Sequence, residues 1–512
     1  MKRPLTITDD RVAVTAIAVL AVIDLGFMIY STGPVPLLVL GIIALAMART
    51  LRRTDSATLV FFFVFYTNVL VVASQFHGVP SIIASTFVFI LAIPLTRYLV
   101  IERGPLVFTF TTPLILAYLA AMLVSSAFSR ATAETLGVVG SFVLEGLILY
   151  LLLTNTVRTK GLLREITWVL IAAATLMALI SVFQEITHSY SNNFGGLAQV
   201  SDGGFNVATT GTAKVLRTRL AGPIGEQNRY AQILLVVVPL AYFRYRAEAA
   251  LKLRLIAAGC TVVILAGVLL TFSRGAAVAT GLLIIGLAVT RFISLRQLVV
   301  TTVIMVAAVT LVSPEFTTRL ASLGNVDQAT QTDNREADGA VRGRATENLA
   351  AWNTFRAHPW VGVGPDRFFR DYSRIEANKL GIRYLDTNRR AHNLYLEMAA
   401  DLGLLGLAIF LTLNGYTVGR LMKLSRSARN RDIEQEMMAA GLAFALLAYL
   451  GTAVFLQLSY QRYYWALLAI CNSAIWIMTR SAGTSRRPTP STKLEPVSPK
   501  FRRPLSAVET RG

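Results

Sequence analysis

Apolar residues in this chain come in long unbroken runs, not in alternation. Runs of roughly 15–20 apolar residues recur along most of it, each about the length that crosses a hydrocarbon core of about 30 Å. About fourteen can be placed, at 12–30, 35–48, 57–74, 81–96, 106–124, 137–154, 166–183, 230–243, 255–271, 276–290, 298–312, 400–419, 437–457 and 464–479. Strands of a membrane barrel alternate in apolarity over about 10 residues, and these runs do not. The pattern predicts an all-α polytopic membrane protein with about 12–14 transmembrane helices. Two links are long, 184–229 and 313–399, and a long link with its own structure is usually functional. In the second, "GRATENLAAWNTFRAHP" carries Leu349, Trp352 and Phe355 at helical spacing and stops at Pro359. It predicts an amphipathic helix packed on one face of the bundle.

Composition agrees. The 512 residues are 54% hydrophobic and 15% charged, against about 25% charged in soluble proteins. The net charge of +20 raises nucleic acid as a partner, but the positions of the charges argue against it. Lys2, Arg3 and Arg11 precede the first run, and basic residues follow every even-numbered one: Arg49, Arg52 and Arg53; Arg97 and Arg103; Arg158, Lys160 and Arg164; Arg244, Arg246, Lys252 and Arg254; Arg291 and Arg296; Arg420, Lys423, Arg426, Arg429 and Arg431. The positive-inside rule puts these links in the cytoplasm, beside anionic lipid heads. The basic tail 480–512, rich in Pro and Ser, reads as cytoplasmic and disordered. Both long links and all four histidines (His77, His188, His358 and His392) then lie outside. Cys260 and Cys471 fall inside apolar runs with no ligand spacing and read as core residues. The first run has no small-residue cleavage site and reads as a signal anchor.

Three outer stretches carry candidate chemistry. "LLTFSRGAAVA" sets Arg274 in a hairpin almost too tight to leave the membrane. A guanidinium there costs several kcal/mol unless it snorkels or is paired, so Arg274 reads either as an interfacial arginine reaching headgroups or as the ligand of an anion. "RLAGPIGEQNRYA" holds Arg219, beside Lys214 and Arg217 in a polar loop, and Asn228, a candidate helix cap. "RAHNLYLEMAADLGLLGL" holds His392 and Asn393, a second candidate cap, with Glu397 and Asp401 in the first turns of a helix and Gly403 and Gly406 at close-packing positions. A solvated arginine and a loop histidine remain open readings of Arg219 and His392.

Four stretches together resemble the bacterial O-antigen ligase and O-antigen polymerase superfamily. They are His392-Asn393, nine residues, then Gly403-x-x-Gly406; "LTFSRGA"; "RLAGPIGEQNRYA"; and "WNTFRAHPWVGVGPDRFF". They occur in the family's order and cover about residues 215–410. The resemblance implies a GT-C-like, polyprenyl-diphosphate-dependent membrane glycosyltransferase with no cofactor and no metal. It implies that Arg219 and Arg274 bind the diphosphate and that His392 is the base. The chemistry suits those residue types. A departing diphosphate gains charge that fixed guanidinium groups stabilise, a neutral imidazole can take the acceptor's proton, and a single displacement inverts the anomeric centre. Asn228, Arg344, Asp366 and Asn393 are candidate substrate contacts, although Arg344, Asp366 and Arg367 could equally pair within the loop.

The implied partners are a polyprenyl-diphosphate-linked glycan donor, a glycan, lipid or other envelope acceptor, and membrane lipids. Ligase and polymerase share the motifs, with the His-Asn signature leaning to ligase. A lipid-linked glycan transporter and a non-catalytic envelope scaffold are the other readings. The chain divides into N-terminal transmembrane helices (1–183), a catalytic region (184–419), C-terminal transmembrane helices (420–479) and the tail (480–512). The expected location is the cytoplasmic membrane, with both termini inside and the site outside.

Overall fold

The computed structural model describes residues 55–210, 213–312, 316, 339–458 and 461–484. The runs expected at 12–30 and 35–48, and the tail after Thr484, lie outside the described residues. The chain is overwhelmingly helical. Helices α1 (Asp55–Tyr66) and α2 (Val69–Phe76) form one bent apolar pair, turning by 53° at Asn68, whose backbone is left-handed. Helices α3 (Ser81–Ile101), α4 (Thr112–Ala127), α5 (Thr132–Thr156) and α6 (Lys160–Ile186) follow. A hairpin of β1 (Gln199–Thr210) and β2 (Ala213–Gly222) leads into α7 (Gln227–Ala247), α8 (Leu251–Leu270), α9 (Arg274–Val289) and α10 (Leu295–Val312). After α11 (Gly339–Ala357) and the short α12 (Ser373–Lys379) come α13 (Leu394–Ala428), α14 (Ile433–Thr452) and α15 (Gln461–Thr484).

Each expected apolar run within the described residues falls on a helix. Among the described residues, six helices are long and apolar enough to cross a membrane, or seven with the bent pair. They fit a multi-pass membrane protein. Of the expected runs, those at 12–30 and 35–48 lie outside the described residues, and others fall on helices that are shorter or carry charges. Helices α4 and α9 are short, and α7 and α15 carry arginines near their ends.

Helix α7 is the axis of the bundle. From Arg229 to Ala241 every residue is buried, so its apolarity is not confined to one stripe, as a central helix requires. It packs on α14, α8 and α6. The aromatic centre of the bundle gathers Tyr464, Trp465, Phe410, Tyr449, Tyr118 and Phe142. A second, smaller core lies apart, made of Ala350, Ala351, Phe368, Ala377, Leu385, Ala391 and Ala400. It belongs to a layer formed by α11, α12 and the start of α13.

Two elements depart from expectation. The link 184–229 holds an antiparallel hairpin, with Ser201 opposite Arg219 and Gln199 opposite Gly222. This hairpin is a local addition to a chain that is otherwise helical, as expected of an all-α polytopic membrane protein. Helix α11 is amphipathic, but its most buried face is the one of small residues. It buries Gly343, Thr346, Glu347, Ala350, Ala351 and Thr354, while Trp352 stays 45% exposed. Small side chains let α11 approach α13 closely, while Trp352 turns away and Leu349 and Phe355 are half-buried.

Candidate functional site

The site is built where β2, the α8–α9 turn, α11 and the start of α13 meet. Arg219 on β2 is buried. Its Nε donates to the Thr271 carbonyl at 3.1 Å, and its Nη2 donates to Asn228 Oδ1 at 3.2 Å and to the Phe272 carbonyl at 3.5 Å. Ser273 Oγ donates to the same Asn228 oxygen at 2.8 Å. Asn228 is therefore the junction of hairpin and turn. The cap of α7 is Glu226, not Asn228: its carboxylate accepts the backbone N–H groups of Asn228 and Arg229 at 3.0 and 2.7 Å.

The α8–α9 turn is as tight as the sequence predicts. Phe272 takes a left-handed backbone, Ser273 caps α9 by accepting the Ala276 N–H, and Arg274 is the first residue of that helix. Arg274 is 7% exposed. The residue therefore packs within the protein at the start of α9. Asn228, Ser273, Gly275, Ala276, Arg344, Thr452, Phe455 and Leu456 line a narrow cavity next to this turn. The positive end of the α9 dipole lies beside it, and Arg344 is one of its lining residues. Arg344 thus joins the site from a helix 70 residues further along the chain.

His392 stands at the entrance of α13 in a left-handed backbone, φ +50°. Both neighbours are fixed. Ala391 N–H donates to Glu397 Oε2 at 3.0 Å, and Asn393 Oδ1 caps α13 by accepting the N–H groups of Tyr395 and Leu396. Leu394 N–H donates to the Ala453 carbonyl at 2.9 Å, which pins this start to the end of α14. Burial pushes the imidazole down to about 4, helped by Arg344, Arg229 and Arg389 and opposed by Glu226. His392 is therefore neutral near pH 7.

Glu347 of α11 faces the ring, its Oε2 3.9 Å from His392 Nε2. Its side chain is 4% exposed, with Arg389 Nη1 3.9 Å from its Oε1. Burial pushes its carboxyl up to about 7, against the pull of Arg389, Arg344 and Arg383. Sequence reading passed over Glu347 because an acid in a helix is ordinary. The available signal was its place on the stripe of small residues at 343, 346, 350 and 354.

Residues 259–411 match the family model described as O-antigen ligase. Over this stretch the chain is similar to the O-antigen ligase family. No curated protein matches the chain. The matched O-antigen ligase stretch runs from within α8 into α13 and includes Arg274, Arg344, Glu347, Asp366, His392 and Asn393. Arg219 and Asn228 precede it and reach it through Thr271, Phe272 and Ser273.

Other residues of the matched stretch hold the layer together. Asp366 does not line the cavity. It pairs with Arg370 Nε and Arg390 Nη2, both at 2.7 Å, and Arg390 bridges on to Glu397 at 2.7 Å. Arg367 pairs with Glu134 and Asp371. The buried carboxylate of Asp401 accepts the N–H groups of Asp366 and Phe368 at 3.0 and 2.8 Å. Gly403 is a close-packing position, as the sequence suggested, packed against the Trp360 backbone, and it also breaks the helix. Its φ of 64° and ψ of −165° break α13, and the segment from Pro359 to Gly364 fits into the break. Leu404 N–H donates to the Pro359 carbonyl and Gly364 N–H to the Asp401 carbonyl, at 2.7 and 2.9 Å. A Cβ on Gly403 would strike the Trp360 backbone, and one on Gly362 the Asp401 backbone. Among the described residues, no group of three or more His, Cys, Asp or Glu could hold a metal ion.

Proposed function

We propose that this chain transfers a glycan from polyprenyl diphosphate to an acceptor hydroxyl at the outer face of the cytoplasmic membrane, in cell-surface polysaccharide synthesis. The observation that carries the reading is the arrangement of His392. A neutral imidazole sits within the field of arginines, one of which lines a cavity at the start of a helix. In this reading Arg274 and Arg344 receive the diphosphate, and Arg219 holds the turn that presents Arg274. His392 takes the acceptor proton while the hydroxyl oxygen attacks the anomeric carbon. The sugar–oxygen bond breaks with its electron pair going to the diphosphate, inverting the centre. Fixed guanidinium groups act most strongly as that charge grows. An arriving anionic donor also offsets the arginine field at His392 and makes the ring a stronger base at that moment. Asn393 fixes the ring's position through its cap, and Asp366 holds the layer in register. The bundle would be GT-C-like, with the catalytic region spanning 184–419 and no metal or cofactor in the transfer step.

Cells lacking the protein, complemented with wild type, His392→Ala or Arg274→Ala at matched membrane levels, test this. Both variants should fail like the deletion. Loss of all acceptor-linked glycan identifies a ligase, and a single-repeat band without its ladder identifies a polymerase. Restoration of the wild-type pattern by both variants would overturn the transferase reading in favour of transport or scaffolding.

A further inference from the structure

We infer that Glu347 is the positioning residue for His392: its carboxylate selects the ring's tautomer and stabilises the imidazolium formed when the acceptor loses its proton. The inference rests on the reading of His392 as the base and adds a residue to it.

The geometry supports this assignment over other acids. Among the described residues, Glu347 is the only carboxylate within 4.0 Å of the His392 ring. Glu226 also lies in its field, but both its oxygens cap α7. On the buried face of α11 the neighbours of Glu347 are small, which lets its side chain reach the ring. Gly343, one turn earlier, leaves room for the Arg383 guanidinium, and Thr346, Ala350 and Ala351 are fully buried against the layer. A carboxylate placed on a stripe of Gly and Ala and sealed from solvent is costly unless paired. Glu347 is compensated by Arg389, Arg344 and Arg383, with His392 on its remaining side.

The chemistry follows from which nitrogen it faces. A carboxylate opposite Nε2 favours the tautomer with its proton there, leaving the Nδ1 lone pair for the acceptor hydroxyl. In the transfer step the hydroxyl O–H bond breaks and its proton goes to Nδ1. The oxygen forms the new glycosidic bond, and the old sugar–oxygen bond leaves its pair on the diphosphate. The ring becomes a cation next to Glu347, whose negative charge is worth most at that point. At 3.9 Å the pair is wider than a hydrogen bond, and apo geometries of this kind tighten in the reactive complex.

The test uses the full chain in lipid, added to a detergent extract of membranes from cells that lack it. These membranes supply donor and acceptor together. The readout is the initial rate at which glycan leaves the lipid-linked fraction. Glu347→Gln keeps the shape and removes the charge. The rate should fall by about 10²-fold, with an unchanged dependence on added extract. The wild-type rate should fall as the pH drops through about 7, where Glu347 becomes protonated, and Glu347→Gln should lose that limb. In a His392→Gln background, Glu347→Gln should cause no further loss. Glu347→Asp, which keeps the charge, should recover part of the rate.

If Glu347→Gln loses the rate but keeps the limb near pH 7, or adds its loss to that of His392→Gln, Glu347 only supports the fold and the inference fails. If Glu347→Gln matches wild type while His392→Gln is inactive, the inference fails and the base reading stands. If His392→Gln matches wild type, the base reading fails first. Thermal unfolding of each variant separates lost folding from lost transfer.

Discussion

The bundle around α7 and the layer around α11 are held together by different means. Around α7, side chains from Tyr230 to Ala241 bury apolar surface on all sides, and neighbouring helices add Trp465, Tyr464 and Phe410. The layer has a core of five alanines with Phe368 and Leu385. What fixes it is polar: the Asp366–Arg390–Glu397 chain, the Asp401 carboxylate on two backbone N–H groups, and the strand-like contact of 359–364 with the break at Gly403. Dispersion packing is tolerant of composition, whereas charge-assisted bonds and a Gly-only backbone fix position to a fraction of an ångström. A transfer site needs the second kind of precision, and the candidate residues lie where the two regions meet.

The largest expected effect separates chemistry from both kinds of stability. His392→Ala should slow transfer by about 10²–10⁴-fold with the unfolding temperature unchanged, measured on the same preparation. A second substitution attacks the apolar account of the bundle at its one conspicuous ionic spot. Arg244 and Glu248 side chains are 3% and 4% exposed and lie 3.2 Å apart. Arg244→Leu should cost toward the lower end of about 3–5 kcal/mol, because Arg164 still reaches Glu248 at 2.5 Å. Transfer per folded molecule should be unaffected, and a loss of rate at full folding would show the two regions to be coupled.

Gly403→Ala tests the layer in turn. Its backbone region costs about 1–3 kcal/mol for a non-glycine residue, before the clash with Trp360. Hydrogen exchange should rise across 359–405 and transfer should fall, while the exchange of α7 stays slow. Asn393→Ala removes the cap of α13, worth about 1 kcal/mol. It should fray residues 394–397 and lower the rate through His392 without touching donor binding.

The smallest effect is one of pH. The His392 pKa falls from 6.5 to about 4 on folding, so its contribution to stability is present above pH 6.5 and lost as pH falls toward 4. The Glu347 pKa rises from 4.5 to about 7, so its contribution is present below pH 4.5 and lost as pH rises through 7. Between these values the slopes oppose. Exchange protection at 391–397 should stay nearly flat from pH 4.5 to 6.5 in the wild type. Glu347→Gln should make it fall with decreasing pH, and His392→Gln should make it fall with increasing pH.

Sequence by itself determined the helices, the two long links, the tight turn at Arg274 and the cap at Asn393. Each is a local matter: a run of apolar residues, a short link, or a polar residue at a helix start acts on its own few neighbours. It also marked His392, Arg219 and Arg274 as candidates. It marked α11 as an amphipathic helix, but not that its most buried face is the one of small residues with Glu347, because periodicity shows that Leu349, Trp352 and Phe355 share a side but not how deeply that side meets protein. It marked Gly403 as a packing residue but not as a break in α13, because the segment that fits the break lies some 40 residues earlier in the chain. The link 184–229 read as a loop because its strands pair only with each other. Tertiary structure alone decided that Arg344 lines the cavity, that Asp366 is a tie, and that Glu347 faces His392. Those outcomes depend on which helix faces are brought together, and no stretch of sequence carries that information by itself.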